Sequence, residues 1–135
     1  MTSKASTDGV VLDASGMVEY LIDTRLGGLV ADRITEQKVH VPAHFDAEVL
    51  SALGRLHRSG QMESDLVNRK LKHLASSPFV RHPLQPLTLA AWQHRHNLRL
   101  VDGLYVALAE QLDLRLVTTD SALANVSPVA EFVGG

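Results

Sequence analysis

VVLDASGMVEYL, residues 10–21, changes its period partway along. Val10, Val11 and Leu12 make an unbroken apolar run, the pattern of a strand buried on both faces, and the run stops on Asp13. Beyond Ser15, the apolar positions Met17, Tyr20 and Leu21 fall three and four apart, as on one side of a helix. The stretch therefore reads as a strand over 10–13 feeding a helix over 15–23. A carboxylate at the edge of a core is costly unless it is paired, hydrogen-bonded or bound to a metal. Asp13 either caps the helix that follows or belongs to a site.

The rest of the chain continues the alternation of strand and helix. Gly27 and Gly28 interrupt the first helical region, and LVADRITE, 29–36, resumes it. KVHV, 38–41, is a second strand, and Pro42 suits the first turn of a helix that runs to Ser59 and ends at Gly60. A polar helix over 61–76 carries Leu66, Leu71 and Leu74, and FVRHPL, 79–84, is a short strand. A helix over 87–97 carries Trp92, which reads as core or interface packing, and an apolar-faced helix covers 102–112. LRLVT, 114–118, is a strand, a helix-like cap follows, and VAEFV, 129–133, alternates as an edge strand does. Strands separated by helices imply an α/β fold with a central parallel sheet and helices on both faces, a three-layer α/β/α sandwich. Such sheets bind ligands at the carboxyl ends of their strands.

The 135 residues suit a single domain over 10–135 after a loose polar lead-in over 1–9. Cysteine is absent, which excludes disulfides and thiolate metal sites. No apolar run is long enough to span a bilayer, and the first nine residues lack the apolar stretch of a signal peptide, so no membrane association and a cytoplasmic location are expected. The net charge of −2 argues against a uniformly basic nucleic-acid coat. The charge is uneven, however. Residues 55–99 hold eight of the thirteen Lys and Arg and two of the fifteen acids, so this segment carries +6 and the remainder −8. It reads either as a solvated helical face or as a basic flank beside an acidic pocket.

Four acids sit where solvated acids are not expected. Asp13 and Asp120 follow strands and should share one sheet edge. Glu48 lies at the margin of the apolar stripe Phe45, Val49, Ala52, Leu53 and Leu56, whereas Asp46 falls on the solvated side. Asp102 opens a helix above the apolar column Tyr105, Val106 and Ala109. Singly, Asp13, Asp102 and Asp120 could be helix N-caps and Glu48 a half-exposed helical residue. Converging carboxylates repel one another, and a hard cation relieves this better than protonation does. Carboxylate oxygens suit magnesium or manganese, which favour phosphate chemistry. Ser15 and Thr118 could orient a carboxylate or hold a metal-bound water, or could serve as local caps.

At these residues the chain resembles the PIN-domain ribonucleases, specifically the VapC toxins of bacterial VapBC toxin–antitoxin pairs. The resemblance rests on VVLDASGMVEYL at 10–21, VPAHFDAEVLSAL at 41–53, PLTLAAWQHRHNLRL at 86–100 and LVDGLYVALAEQLDLRLVTTDSALA at 100–124. It implies a PIN-like sandwich with an acidic quartet at Asp13, Glu48, Asp102 and Asp120. It implies Mg2+ or Mn2+ bound there, RNA cleavage (often in a tRNA or rRNA), and a homodimer. It also implies a VapB-type antitoxin that covers the site, and contact with DNA only through that antitoxin. Gly103 stands where alanine is commoner, which should loosen the helix start slightly.

A different class of function is a PIN-fold binding module, catalytically weak, that acts through a partner in a repressor complex; the complete quartet speaks against it. A dehalogenase-like phosphatase would want an acid where Ser15 stands, and no G-x-S-x-G motif supports a serine hydrolase. His94 and His96, two apart on a helix, point away from each other and read as surface residues. An acidic site that handles RNA needs compensating charge. Arg55, Arg58, Arg69, Lys70, Lys72, Arg95 and Arg99 are candidates to grip phosphates, or to contact the antitoxin or a second subunit.

Overall fold

A computed structural model describes residues 9–134. The expected lead-in over 1–9 lies, apart from Gly9, outside them. The strands are β1 (Val10–Leu12), β2 (Val39–Pro42), β3 (Val80–His82), β4 (Arg115–Thr118) and β5 (Ala130–Phe132). They form one five-stranded sheet in the order β3-β2-β1-β4-β5, parallel at every pairing. β1 is central, with Val10 opposite Val39 on one side and Arg115 on the other. Its three residues are all buried, as the unbroken apolar run required.

The helices are α1 (Ala14–Leu21), α2 (Arg25–Ile34), α3 (Phe45–Arg58), α4 (Ser64–Ser76), α5 (Thr88–Gln93), α6 (Leu100–Leu112) and α7 (Ser121–Val126). The chain leaves β1 towards β2 and β3, then crosses back to β4 and β5 on the other side. Right-handed crossovers, the rule for parallel sheets, then put α1–α4 on one face and α5–α7 on the other. Packing agrees, since α1 meets α2 and α3, α3 meets α4, and α5 meets α6. Where the strand order reverses, between β1 and β4, a parallel sheet opens a crevice at its carboxyl edge. Among the described residues no helix is long and apolar enough to cross a membrane.

Several expected boundaries are corrected by packing. Gly27 and Gly28 lie inside α2, which begins at Arg25 with the Thr24 hydroxyl accepting the Gly27 N–H at 3.0 Å. A Cβ at Gly27 would come within 2.0 Å of the Glu19 carbonyl oxygen, so the glycine permits α1 and α2 to touch rather than ending a helix. Pro42 closes β2 instead of opening α3, and the Ala43 N–H prolongs the ladder by donating to the His82 carbonyl at 2.8 Å. Gly60, at φ 84°, does end α3 as expected. α4 starts at Ser64, and α5 stops at Gln93 after a 3-10 turn over Gln85–Leu87. Trp92 is not core: it is 50 % exposed and stacks under the Arg95 guanidinium at 4.6 Å. Gly103 has a structural reason, because a Cβ there would stand 3.0 Å from the Ala91 carbonyl oxygen where α6 crosses α5. Asp46 is not free in solvent: Arg81 of β3 grips both its oxygens at 2.9 Å.

Candidate active site

Asp13 leaves β1 and caps α1, as the first of its two readings has it. Its Oδ1 accepts the Gly16 N–H and the Ser15 hydroxyl, each at 2.9 Å, and its Oδ2 accepts the Thr118 hydroxyl at 2.5 Å. The residue is only 5 % exposed. Burial pushes its carboxyl up from 3.8 to about 6; the bonds from Thr118, Gly16 and Ser15 pull against this, and the Asp120 charge adds to it.

Thr118 ends β4, is fully buried, and joins the two sheet-edge acids. Its hydroxyl donates to Asp13 and accepts the Asp120 N–H at 3.0 Å. Asp120 then caps α7, with Oδ1 accepting the N–H groups of Ala122 and Leu123 at 2.9 and 3.3 Å. Ser15 is steadied in turn by the Thr119 hydroxyl at 3.2 Å.

The other two acids come from helices. Glu48, in the first turn of α3, is half-turned inward as its place on the apolar margin implied. Its Oε1 accepts the Tyr105 hydroxyl at 2.7 Å, and His44 Nε2 lies 3.6 Å away. Tyr105 is buried, and burial together with the Glu48 charge holds its phenol neutral, well above the ordinary range. α6 begins at Leu100, so Asp102 is in its first turn and is not its N-cap. Arg99 grips both oxygens of Asp102, from Nε at 3.0 Å and Nη2 at 3.3 Å.

Asp13, Glu48, Asp102 and Asp120 all line one cleft of about 290 Å³, together with Ser15, Arg55, Arg99, Glu19 and Tyr105. Thr118 lies behind it. Arg58 and Arg95 are not in its lining, nor are Arg69, Lys70 and Lys72; Lys70 instead reaches Asp23 at 3.4 Å. Tyr105 and Glu19 are the polar lining residues that sequence reasoning did not assign. For Tyr105 a signal existed: a tyrosine on a buried helical column needs a partner for its hydroxyl, and it stands one turn after an acid.

Among the described residues no three acidic or histidine groups form a ready-made metal cage. Each of the four acids is instead hydrogen-bonded to another partner. The donors nonetheless fit a small hard cation. They are carboxylate oxygens without sulfur, and one of them is a buried carboxyl that burial holds up at about 6. Magnesium usually takes one or two carboxylates and keeps several waters, so it needs no closed protein cage.

The PIN domain family model matches residues 10–128. The chain is 47 % identical over 126 residues to Ribonuclease VapC3 of Mycobacterium tuberculosis, covering 93 % of this chain and 92 % of that one. Among solved structures it is similar to PAE2754 from Pyrobaculum aerophilum, with a TM-score of 0.70, 22 % identity and coverage of 96 % and 86 %. It is also similar to a toxin-antitoxin complex from Klebsiella pneumoniae, with a TM-score of 0.65, 16 % identity and coverage of 91 % and 96 %.

Proposed function

Because the chain belongs to the PIN-domain family and, within it, to the VapC ribonucleases, we propose that it is a metal-dependent endoribonuclease toxin of a toxin–antitoxin pair. It hydrolyses RNA phosphodiester bonds, in a tRNA or ribosomal RNA, at Asp13, Glu48, Asp102 and Asp120. The observation that supports this best is the arrival of these acids, from four separate parts of the chain, in one cleft at the sheet's switch point.

Asp13, Asp102 and Asp120, with Glu48, would hold Mg2+ or Mn2+. When bound there, such an ion would supply Lewis acidity toward water and the phosphodiester charge. Ser15 and Thr118 orient Asp13, and Tyr105 orients Glu48. Arg55 and Arg99 meet the phosphate at the cleft, while Arg58 and Arg95 serve only RNA that runs beyond it. A VapB-type antitoxin inhibits the enzyme in the cytoplasm and carries the contact with operator DNA. The toxin itself pairs as a homodimer.

Asp13→Asn and Asp102→Asn each test the reading. Both are expected to lose about a hundredfold or more of magnesium-dependent RNA cleavage and to relieve growth arrest on expression. Undiminished cleavage in either variant refutes the assignment. Wild-type protein that binds the antitoxin but cleaves no RNA with magnesium or manganese marks a binding module instead.

A further inference from the structure

Of the four predicted site acids, Asp102 alone is hydrogen-bonded to an arginine or lysine among the described residues. Asp13 takes hydroxyls and an N–H, Glu48 takes a phenol, and Asp120 takes backbone N–H groups. Asp102 takes the Arg99 guanidinium through both of its oxygens. The partners also differ in burial. Thr118 and Tyr105 are buried, whereas the Arg99 side chain is 75 % exposed over an Asp102 that is 20 % exposed. Arg99 precedes α6 and is further attracted by the Glu48 and Asp120 carboxylates. It borders both the cleft and the adjoining hollow formed with Ala47, Ser51 and Arg55.

We infer that Arg99 is a built-in counter-ion of the cleft, which competes with a divalent cation for Asp102 and must leave that carboxylate before it can ligate. This rests on the reading of Asp102 as a metal ligand. A two-pronged guanidinium matches a carboxylate in geometry and in charge, so it quiets one member of a repelling cluster while no metal is present. Exposed pairs of this kind are weak, so the exchange is reversible. The arginine therefore sets how much free metal the protein needs before the cleft fills.

The test is calorimetric titration with manganese, without RNA, on wild type, Arg99→Ala, Arg99→Lys and Arg55→Ala. Arg99 is exposed, so its replacement leaves the packing intact. Arg99→Ala is expected to bind manganese about two- to fivefold more tightly than wild type, the range an exposed pair supports. Arg99→Lys keeps the charge without the fork and should fall between the two. Arg55→Ala removes a cleft charge that is hydrogen-bonded to no acid among the described residues, and should change affinity less than Arg99→Ala. Raising the salt should narrow the gap between wild type and Arg99→Ala. Equal or weaker binding by Arg99→Ala overturns the inference, as does equal tightening by Arg55→Ala. If wild type and every variant fail to bind manganese, the reading of the acids as a metal site fails with it.

Discussion

The cleft has two walls built on different terms. On the sheet side, Asp13 and Asp120 hang from strand ends and are joined through one buried hydroxyl, that of Thr118. Each also caps a helix. On the helical side, Glu48 and Asp102 belong to α3 and α6, and each is held by a single side chain, Tyr105 or Arg99. The sheet wall is set by strand ends and helix caps and is tied together at the buried Asp13–Thr118 contact. The helical wall is fixed by side chains and faces water at Arg99. The two walls teach that one pair of acids is placed by strand ends and linked by one shared hydroxyl, and each acid of the other pair is held by a separate side chain.

Short of replacing an acid itself, the largest break should come from Thr118→Val, which removes the hydroxyl that spans the sheet wall. It leaves the Asp120 N–H without its acceptor and Asp13 without its shortest donor. Outer hydrogen-bond partners of this kind are worth about ten- to a hundredfold in metal affinity or activity. The lost bond lowers the Asp13 pKa, so its removal should also move the pH profile of cleavage upward; an unmoved profile would dissociate Thr118 from Asp13.

Asp13→Asn should show the opposite sign in stability. The Asp13 carboxyl ionises at about 6 in the fold against an ordinary 3.8, so folding favours its protonated form. Its destabilising contribution is absent below about 3.8, grows as pH rises, and is complete above about 6. Metal-free Asp13→Asn should therefore unfold at higher denaturant than wild type at pH 8, by up to about 3 kcal/mol, and match it near pH 4. Manganese should raise the melting temperature of wild type and leave that of the variant unmoved.

On the helical wall, Tyr105→Phe keeps the packing and frees Glu48. Cleavage is expected to fall about tenfold and stability by about 1 kcal/mol, measured by single-turnover cleavage and urea unfolding. A variant with wild-type cleavage would show that Glu48 needs no anchor.

The smallest effect serves as a control away from both walls. Arg33 holds Glu131 in a half-exposed pair that draws the Glu131 carboxyl below its ordinary range. Its contribution is present above the unfolded pKa and is lost as pH falls below it. Glu131→Gln should cost under about 1 kcal/mol at pH 7, less still in acid, and leave cleavage unchanged.

The two walls were also unequally legible in the sequence. Asp13 and Asp120 could be placed because an apolar run ending in an acid fixes both the strand and the position of the carboxylate at its end. Glu48 could be placed on a helix margin from its spacing. The start of α6 could not: the helix begins at Leu100, where the chain turns onto the Ala91 region of α5, and that contact is between residues distant in the pattern. The Arg99–Asp102 pair was hidden with it. Tyr105 looked apolar because its column is apolar, and its hydroxyl found Glu48 only once α3 and α6 were packed together. Gly27 misled for the same reason, since a glycine that serves close helix contact looks in sequence like one that ends a helix. Arg81 reaching Asp46 from β3 is likewise a contact across the fold with no local signal.

The cap seen at Asp13 and Asp120, joined to the proposed catalytic role, shapes how such a chain can decay. Asparagine or serine at either position keeps an oxygen for the helix N-terminus while giving up the charge. A lineage that abandons the chemistry can therefore drift to those residues with its architecture whole, and such a copy would still present the same outer surface to whatever the active form had bound.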